Sequence, residues 1–413
     1  MAHLSTRCCI AGGGPAGLML GLLLARAGVE VVVLEKHADF LRDFRGDTIH
    51  PSTLEVMHEL GFLDDLLQLP YQKVARVDAQ FGETVLPFAD LSHLPTQCKF
   101  IALMPQWDFL SFLADRAARH PTFKLVMSAE VTDLLMEGGR CVGVRAETAD
   151  GPLDVRAELV VGADGRQSTM RAGAGLHVDE LGAPMDVLWF RLSRLGSDPA
   201  GIVARFDVGR LFVMLNRTDY WQCAYVIPKG TAEQVRQGRL DDFRANVAGL
   251  APFAKDRVAE IASWDDAKLL TVRVDWLPCW YRPGVLCIGD AAHAMSPVGG
   301  VGINLAIQDA VAAANILAQP LRNGRVTTDH LRQVQRRRAW PTRMTQRLQI
   351  FMQNRLIAPV LGSRQQIAPP LPFRLMKHFP VLRRLPARII GMGFRPEHVR
   401  DPEIQSSARA AQG

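Results

Sequence analysis

Asp290 stands at the end of a short apolar strand, Val285 to Ile288, and is followed by Pro297, Gly299, Gly300 and Gly302 and then by an Ala-rich helix. A carboxylate accepts hydrogen bonds, while a helix N-terminus presents unpaired N–H groups at the positive end of a dipole. An acid placed first makes bare phosphate a poor partner for this turn. A polyol chain beside Asp290 and an electron-rich ring carbonyl at the helix start satisfy both groups, and the two together describe a flavin. The residues expected to hold it are Gly289, Asp290, Pro297, Gly300, Gly302, Ile303 and Asn304.

A second constellation lies at the N-terminus. Thr6 to Ala11 reads as a strand, Gly12-Gly13-Gly14-Pro15-Ala16-Gly17 as a turn, the residues to Ala27 as an apolar helix, and Glu30 to Leu34 as a strand ending at Glu35 and Lys36. The spacing fits G-x-G-x-x-G: Gly12 makes the turn, Gly14 admits a pyrophosphate, and Gly17 lets helix approach strand. Glu35 stands near the distance at which an acid accepts the ribose hydroxyls of an adenosine. A carboxylate there repels a 2′-phosphate, so the tightly held dinucleotide is FAD or NAD. With only one such fingerprint, any NAD(P)H must bind transiently in a cleft. A third motif, Asp164-Gly165-Arg166-Gln167-Ser168-Thr169-Met170-Arg171, ends another buried strand; Ser168 is placed to cap a helix, and Arg171 to pair with Asp164 or phosphate.

The segment GDAAHAMSPVGGVGINLAIQDA resembles the third FAD motif of the single-component flavoprotein monooxygenases related to para-hydroxybenzoate hydroxylase. D-G-x-x-S-x-x-R from Asp164 to Arg171 resembles the second, and the three motifs frame most of residues 6 to 320. The resemblance implies non-covalently bound FAD, reduction by NAD(P)H, addition of O2 at the flavin C4a, and transfer of the distal oxygen of that hydroperoxide to an aromatic or polycyclic small molecule. It implies that Arg45 lies beside the flavin, that Gln106 meets the ribityl chain, and that Pro297 packs near the reacting face. Ser52 departs from the basic residue often found in the family. The catalytic candidates are Pro297, Arg45 and His293; His293 reads first as part of the turn and second as a proton-transfer group, with His50 behind it.

These residues require a particular set of elements. The expected fold is α/β: a Rossmann-like FAD-binding domain over 1–73, 98–178 and 276–325, an inserted antiparallel β-sheet substrate domain over 74–97 and 179–275, and a C-terminal helical region over 326–413. Lys124 to Leu135, Cys141 to Glu147 and Leu153 to Val155 read as a three-stranded meander. DVLWFRL, GIVARFDV, RLFVMLN and YWQCAYVIP alternate as half-buried strands do. Trp189, Arg191, Asn216, Trp221, Gln222 and Tyr225 are candidates to line a substrate pocket, although alternation alone leaves open which face looks inward. Basic helices are expected at Thr327 to Trp340 and Arg343 to Leu356, with a frayed tail beyond Arg395.

Composition narrows the class. A chain of 413 residues with 48% hydrophobic content can bury two cores. Seven cysteines without C-x-x-C make neither a disulfide framework nor a zinc site, which suits a reduced cytoplasmic setting. The run Leu18 to Ala25 follows a strand and a glycine turn, so it reads as a nucleotide-fold helix, not a leader. No stretch reaches the ~18 uninterrupted apolar residues of a membrane span, and a soluble protein is expected. Residues 320–413 carry 18 Lys and Arg against 4 Asp and Glu, within an overall charge of +6. That basic region reads first as a solvated helical face and second as a peripheral contact with an anionic membrane. No reading motif points to nucleic acid, and no H-E-x-x-H or Ser-His-Asp set appears. The alternatives left standing are a quinone-pathway hydroxylase at a membrane, a flavin halogenase or reductase lacking W-x-W-x-I-P, and a non-catalytic FAD-containing binding protein. Oligomeric state is open.

Overall fold

A computed structural model describes residues 2–41, 48–199, 201–365 and 368–400. At its centre a parallel sheet runs in the order Val285–Cys287, Gly151–Gly162, Ala2–Ala11, Val31–Leu34 and Phe123–Val126. Val31–Leu34 and Val285–Cys287 are buried along their whole length, as are the last four residues of Ala2–Ala11 and of Gly151–Gly162, which is why these stretches read as unbroken apolar runs. Along Ala2–Ala11 the side chains alternate between two cores. Cys8 and Ile10 join the helices Pro15–Arg26 and Gly302–Arg322 on one side, and Cys9 and Ala11 meet an antiparallel meander on the other. Burial pushes the thiols of Cys8 and Cys9 well up, away from reactivity.

The meander differs from its sequence reading. Ser128, at φ 52°, breaks the segment 124–135: Phe123–Val126 joins the parallel sheet and Ala129–Glu137 begins the meander. Its third strand, Gly151–Gly162, is continuous with the parallel sheet, so one strand replaces the two expected.

A second sheet has the order Lys268–Leu270, Met185–Ser193, Tyr220–Pro228, Arg210–Asn216, Ile202–Asp207, Arg76–Phe81, Thr84–Asp90. The two separated segments therefore share one sheet, joined where Ile202–Asp207 pairs in parallel with Arg76–Phe81. One face packs Leu188, Phe190, Phe212, Trp221 and Tyr225 against Phe243 and Val247 of the helix Leu240–Leu250. The other carries Val187, Leu211, Ala224 and Val226, with Trp189, Val213 and Val298 against them.

The segment Val298–Arg322, a glycine turn and the helix Gly302–Arg322, is long and apolar enough to cross a membrane, yet 61% of its apolar window is buried inside the fold. Its apolarity therefore matches a core position. After it comes one helix, Thr328–Met352, in place of the two expected; it continues without a break across Pro341. A π turn, Gln353–Ile357, and the helices Ala358–Gly362, Leu371–His378 and Arg384–Met392 follow. The chain beyond Arg395, expected to fray, is held as far as Arg400. Glu397 is buried, and the N–H groups of Val399 and Arg400 donate to Glu59 Oε2 (2.8 Å) and Asn315 Oδ1 (2.9 Å).

Candidate functional site

The glycine turn sits where Ala2–Ala11 hands over to Pro15–Arg26. Gly12 has φ +103°, and a Cβ on it would stand 2.4 Å from the carbonyl oxygen of Ala163; one on Gly17 would stand 1.9 Å from the carbonyl oxygen of Gly12. Neither position admits a side chain. Gly14 caps the helix and has no atom within 4 Å of a Cβ position, so its backbone borders open space beside the unpaired first-turn N–H groups, with Pro15 and Ala16 following. Glu35 is buried, its Oε2 accepting from Gly13 N–H (2.8 Å) and its Oε1 from His37 N–H (3.1 Å), so the carboxylate is fixed at the end of Val31–Leu34. Lys36 beside it is exposed.

The three motifs meet at this edge. The backbone of Ala163 and Asp164 closes on Gly12, Gly289 at φ +59° stands against Ala16, and Arg166 Nε donates to Asp290 Oδ2 at 3.1 Å. Both members of that ion pair are about one-third exposed, leaving the carboxylate accessible. Arg171 pairs with neither acid nor open space: its guanidinium donates to the carbonyls of Ala291 (3.1 Å) and Arg166 (2.7 Å), stitching two motifs together. Asp164 accepts from Met170 N–H at 3.1 Å, and its Oδ1 is buried without a partner. Burial raises its carboxyl above the ordinary range despite the hydrogen bonds from Ser168 and Met170. Gln106 opens the helix Gln106–Ala117 and is half-buried.

On the other side of the site lies the turn Pro297–Gly302. Gly300, at φ +63°, has the Thr48 hydroxyl 2.4 Å from its Cβ position, and that hydroxyl donates to the Gly300 carbonyl at 2.8 Å. Gly302 and Ile303 begin the helix and present its N-terminal end. Asn304 differs from its expected role at a flavin ring. Its Oδ1 accepts from His50 N–H (2.9 Å) and the Thr53 hydroxyl (2.7 Å), and its amide donates to Thr48 O (3.2 Å) and Gly300 O (3.4 Å). All four hydrogen-bonding positions are used inside the chain, so the side chain holds the turn together.

His293 is also drawn inward. It is 1% exposed, packs on Trp280, and its Nε2 donates to Asp309 Oδ2 at 2.6 Å. Asp309 accepts in addition from Gly289 N–H (3.1 Å) and from Arg338 Nε (2.9 Å). Burial pushes that carboxyl up, but His293 and Arg338 outweigh it and hold it below the usual range. An imidazole so enclosed positions the turn instead of transferring a proton to a ligand. His50 is likewise fully buried, with Nδ1 donating to Ile390 O at 2.7 Å. Arg45 lies outside the described residues.

The second sheet divides the substrate candidates. Register pairs Trp189 with Ala224 and Arg191 with Gln222, which places them on the face that carries Val298. Tyr225 and Trp221 are buried on the opposite face, and Asn216, alternating with Met214, shares that side. Tyr225, Trp221 and Asn216 therefore lie on the face away from Val298, because a one-residue offset along a strand reverses the face. Trp189 is half-buried, and its indole N–H has no partner. Sequence reasoning left Arg166, Thr48, Asp309 and Arg338 without a part in the site. A usable signal existed for Asp309, since an acid within an apolar helix face implies a buried counter-charge.

The residues fit FAD: backbone N–H groups and an open glycine for a diphosphate, a fixed acid for a ribose, and an accessible acid for a polyol. Comparison with known proteins agrees. The FAD binding domain family profile matches residues 5–348. The chain is 31% identical over 386 residues to a 6-methylpretetramide 4-monooxygenase from Streptomyces rimosus, covering 93% of this chain and 92% of that one. It is 30% identical over 310 residues to a dialkyldecalin synthase from Streptomyces rugosporus, covering 73% of this chain but 63% of that longer relative. The crystal structure of a p-nitrophenol 4-monooxygenase from Pseudomonas putida superposes with a TM-score of 0.76 at 20% identity, covering 96% of this chain and all of the other, and so shares the fold.

Proposed function

The chain belongs to the FAD-binding-domain family of flavoprotein monooxygenases and is an FAD-dependent monooxygenase; from that premise we propose that it hydroxylates a polycyclic phenolic metabolite. In the balanced reaction the substrate C–H, O2, NAD(P)H and a proton become the hydroxylated product, water and NAD(P)+. FAD, when bound, supplies hydride acceptance and oxygen activation. Gly12, Gly14 and Gly17 and the helix behind them would hold its diphosphate, Glu35 its ribose, and Asp290, steadied by Arg166, its polyol chain. The N-terminal dipole of Gly302–Arg322 would stabilise negative charge on the ring edge of the reduced cofactor.

The observation that carries this reading is the shared turn. Pro297–Gly302 is tied to the cofactor side by Thr48 and Gly300, and Val298 packs on the apolar face of the second sheet. One face of that turn would serve the cofactor cradle, and the other packs on an apolar wall of Val187, Leu211, Val213 and Ala224, beside which a flat, water-poor substrate would lie. Trp189, on the same wall, would donate its indole N–H to a substrate oxygen.

The test is NAD(P)H oxidation by the purified yellow protein across a panel of phenols and quinones of one to four rings, with products weighed after turnover in 18O2. A substrate-accelerated rate and a product carrying one labelled oxygen are expected. A flavin-loaded protein that oxidises no NAD(P)H with any of them would overturn the hydroxylase reading.

A further inference from the structure

We propose that the helices Leu371–His378 and Arg384–Met392 form a docking surface for an anionic lipid bilayer. Each is anchored by its inner side. Phe373 stacks on Phe88 and meets Phe81 edge-on, both at 5.2 Å between ring centres. Ala387 is fully buried, and Gly391 lies so near Leu94 that a Cβ would stand 2.6 Å from it. The outer side is unlike an ordinary solvated helix: Leu371, Leu375, Phe379, Val381, Leu382 and Leu385 are each between 40% and 66% exposed within fifteen residues of chain.

Cations accompany these side chains without counter-charges. Arg374, Lys377, Arg384 and Arg388 are exposed, and none pairs with a carboxylate among the described residues. Over residues 330–396 the sequence has fourteen Lys and Arg and no Asp or Glu. Apolar side chains among cations of a single sign match the boundary of acyl chains and phosphate headgroups. The same charge argues against a second copy as the occupant, because two such surfaces would bring like charges face to face. This proposal stands independently of the reaction the enzyme performs.

The experiment is co-sedimentation of the holoenzyme with vesicles of phosphatidylcholine alone or mixed with equal phosphatidylglycerol, at low and high salt. Pelleting is expected with the anionic vesicles at low salt. Leu371→Glu with Leu385→Glu, and separately Lys377→Glu with Arg384→Glu, should each lower the partition coefficient by about tenfold or more. All of these sites are exposed, so flavin content and melting temperature serve as the folding control. Absence of pelleting at low salt, or equal pelleting on neutral vesicles, overturns the proposal. So does a halving of the sedimenting mass in the Leu371→Glu, Leu385→Glu variant without lipid, which would make the surface a subunit interface.

Discussion

His50 shows how much a single buried group changes between sequence and fold. Its Nδ1 donates to a carbonyl and its Nε2 is buried without a partner, so a second proton has nowhere favourable to go. Burial lowers its pKa to about 4 from an ordinary 6.5, only partly offset by the Ile390 bond. Because the folded value is the lower one, the unfolded chain takes up the proton first on acidification. Stability is then complete above about pH 6.5 and falls toward pH 4, by up to about 3 kcal/mol for this group. His50→Asn keeps a donor for Ile390 and should flatten the dependence of the urea midpoint on pH in that window. An unchanged slope would assign the acid sensitivity to other groups.

Between elements, the contact that joins the C-terminal region to the site is an ion-pair chain. Asp309 on Gly302–Arg322, Arg338 on Thr328–Met352 and Glu397 in the terminal segment are each under 5% exposed at the side chain. Arg338 donates to Asp309 Oδ1 at 2.9 Å, to Glu397 Oε1 at 3.3 Å and to the Arg395 carbonyl at 3.2 Å. Removing it takes the shared guanidinium from two buried carboxylates, leaving Asp309 with only His293 and the Gly289 N–H and Glu397 with only the partly exposed Arg337, so Arg338→Met should cost about 3–5 kcal/mol in denaturant unfolding. Arg337 also pairs with Glu397 at 2.7 Å but is 29% exposed, and Arg337→Met should cost under about 1 kcal/mol. Equal losses in the two variants would show that burial is not what gives the contact its weight. Asp309 also receives the Gly289 N–H, so the network sets the turn that carries Asp290.

At the scale of the whole molecule the site belongs to no single element. It is stitched from residues near 12–17, 35, 164–171 and 289–304, and a ligand bridging them binds the folded chain and not the unfolded one. Added FAD should therefore raise the melting temperature of deflavinated protein by about a few degrees at a hundredfold excess over its dissociation constant. Asp290→Ala should purify with much less flavin, read from the ratio of visible to ultraviolet absorbance, and should show a smaller melting shift. Full flavin retention in that variant would mean that the carboxylate does not hold the cofactor. Arg166, its partner at 3.1 Å, gives a second, coupled position at which to repeat the measurement.

Local features were legible in the residues themselves. The turns at Gly12–Gly17 and Gly299–Gly302, the apolar strands before them and the alternation of the second sheet depend on backbone sterics and on a period of two or 3.6, both properties of neighbouring residues. Which groups remain available to a ligand was decided elsewhere. Asn304 is consumed by partners far away in the chain and His293 by Asp309 on the next helix, Tyr225 faces a helix and not the cofactor turn, and Arg338 is interred because Glu397, expected to be loose, closes over it. A hydrogen bond or ion pair between residues dozens to hundreds of positions apart has no periodic trace in the sequence. Only the packing of the two cores fixes which of those groups meet.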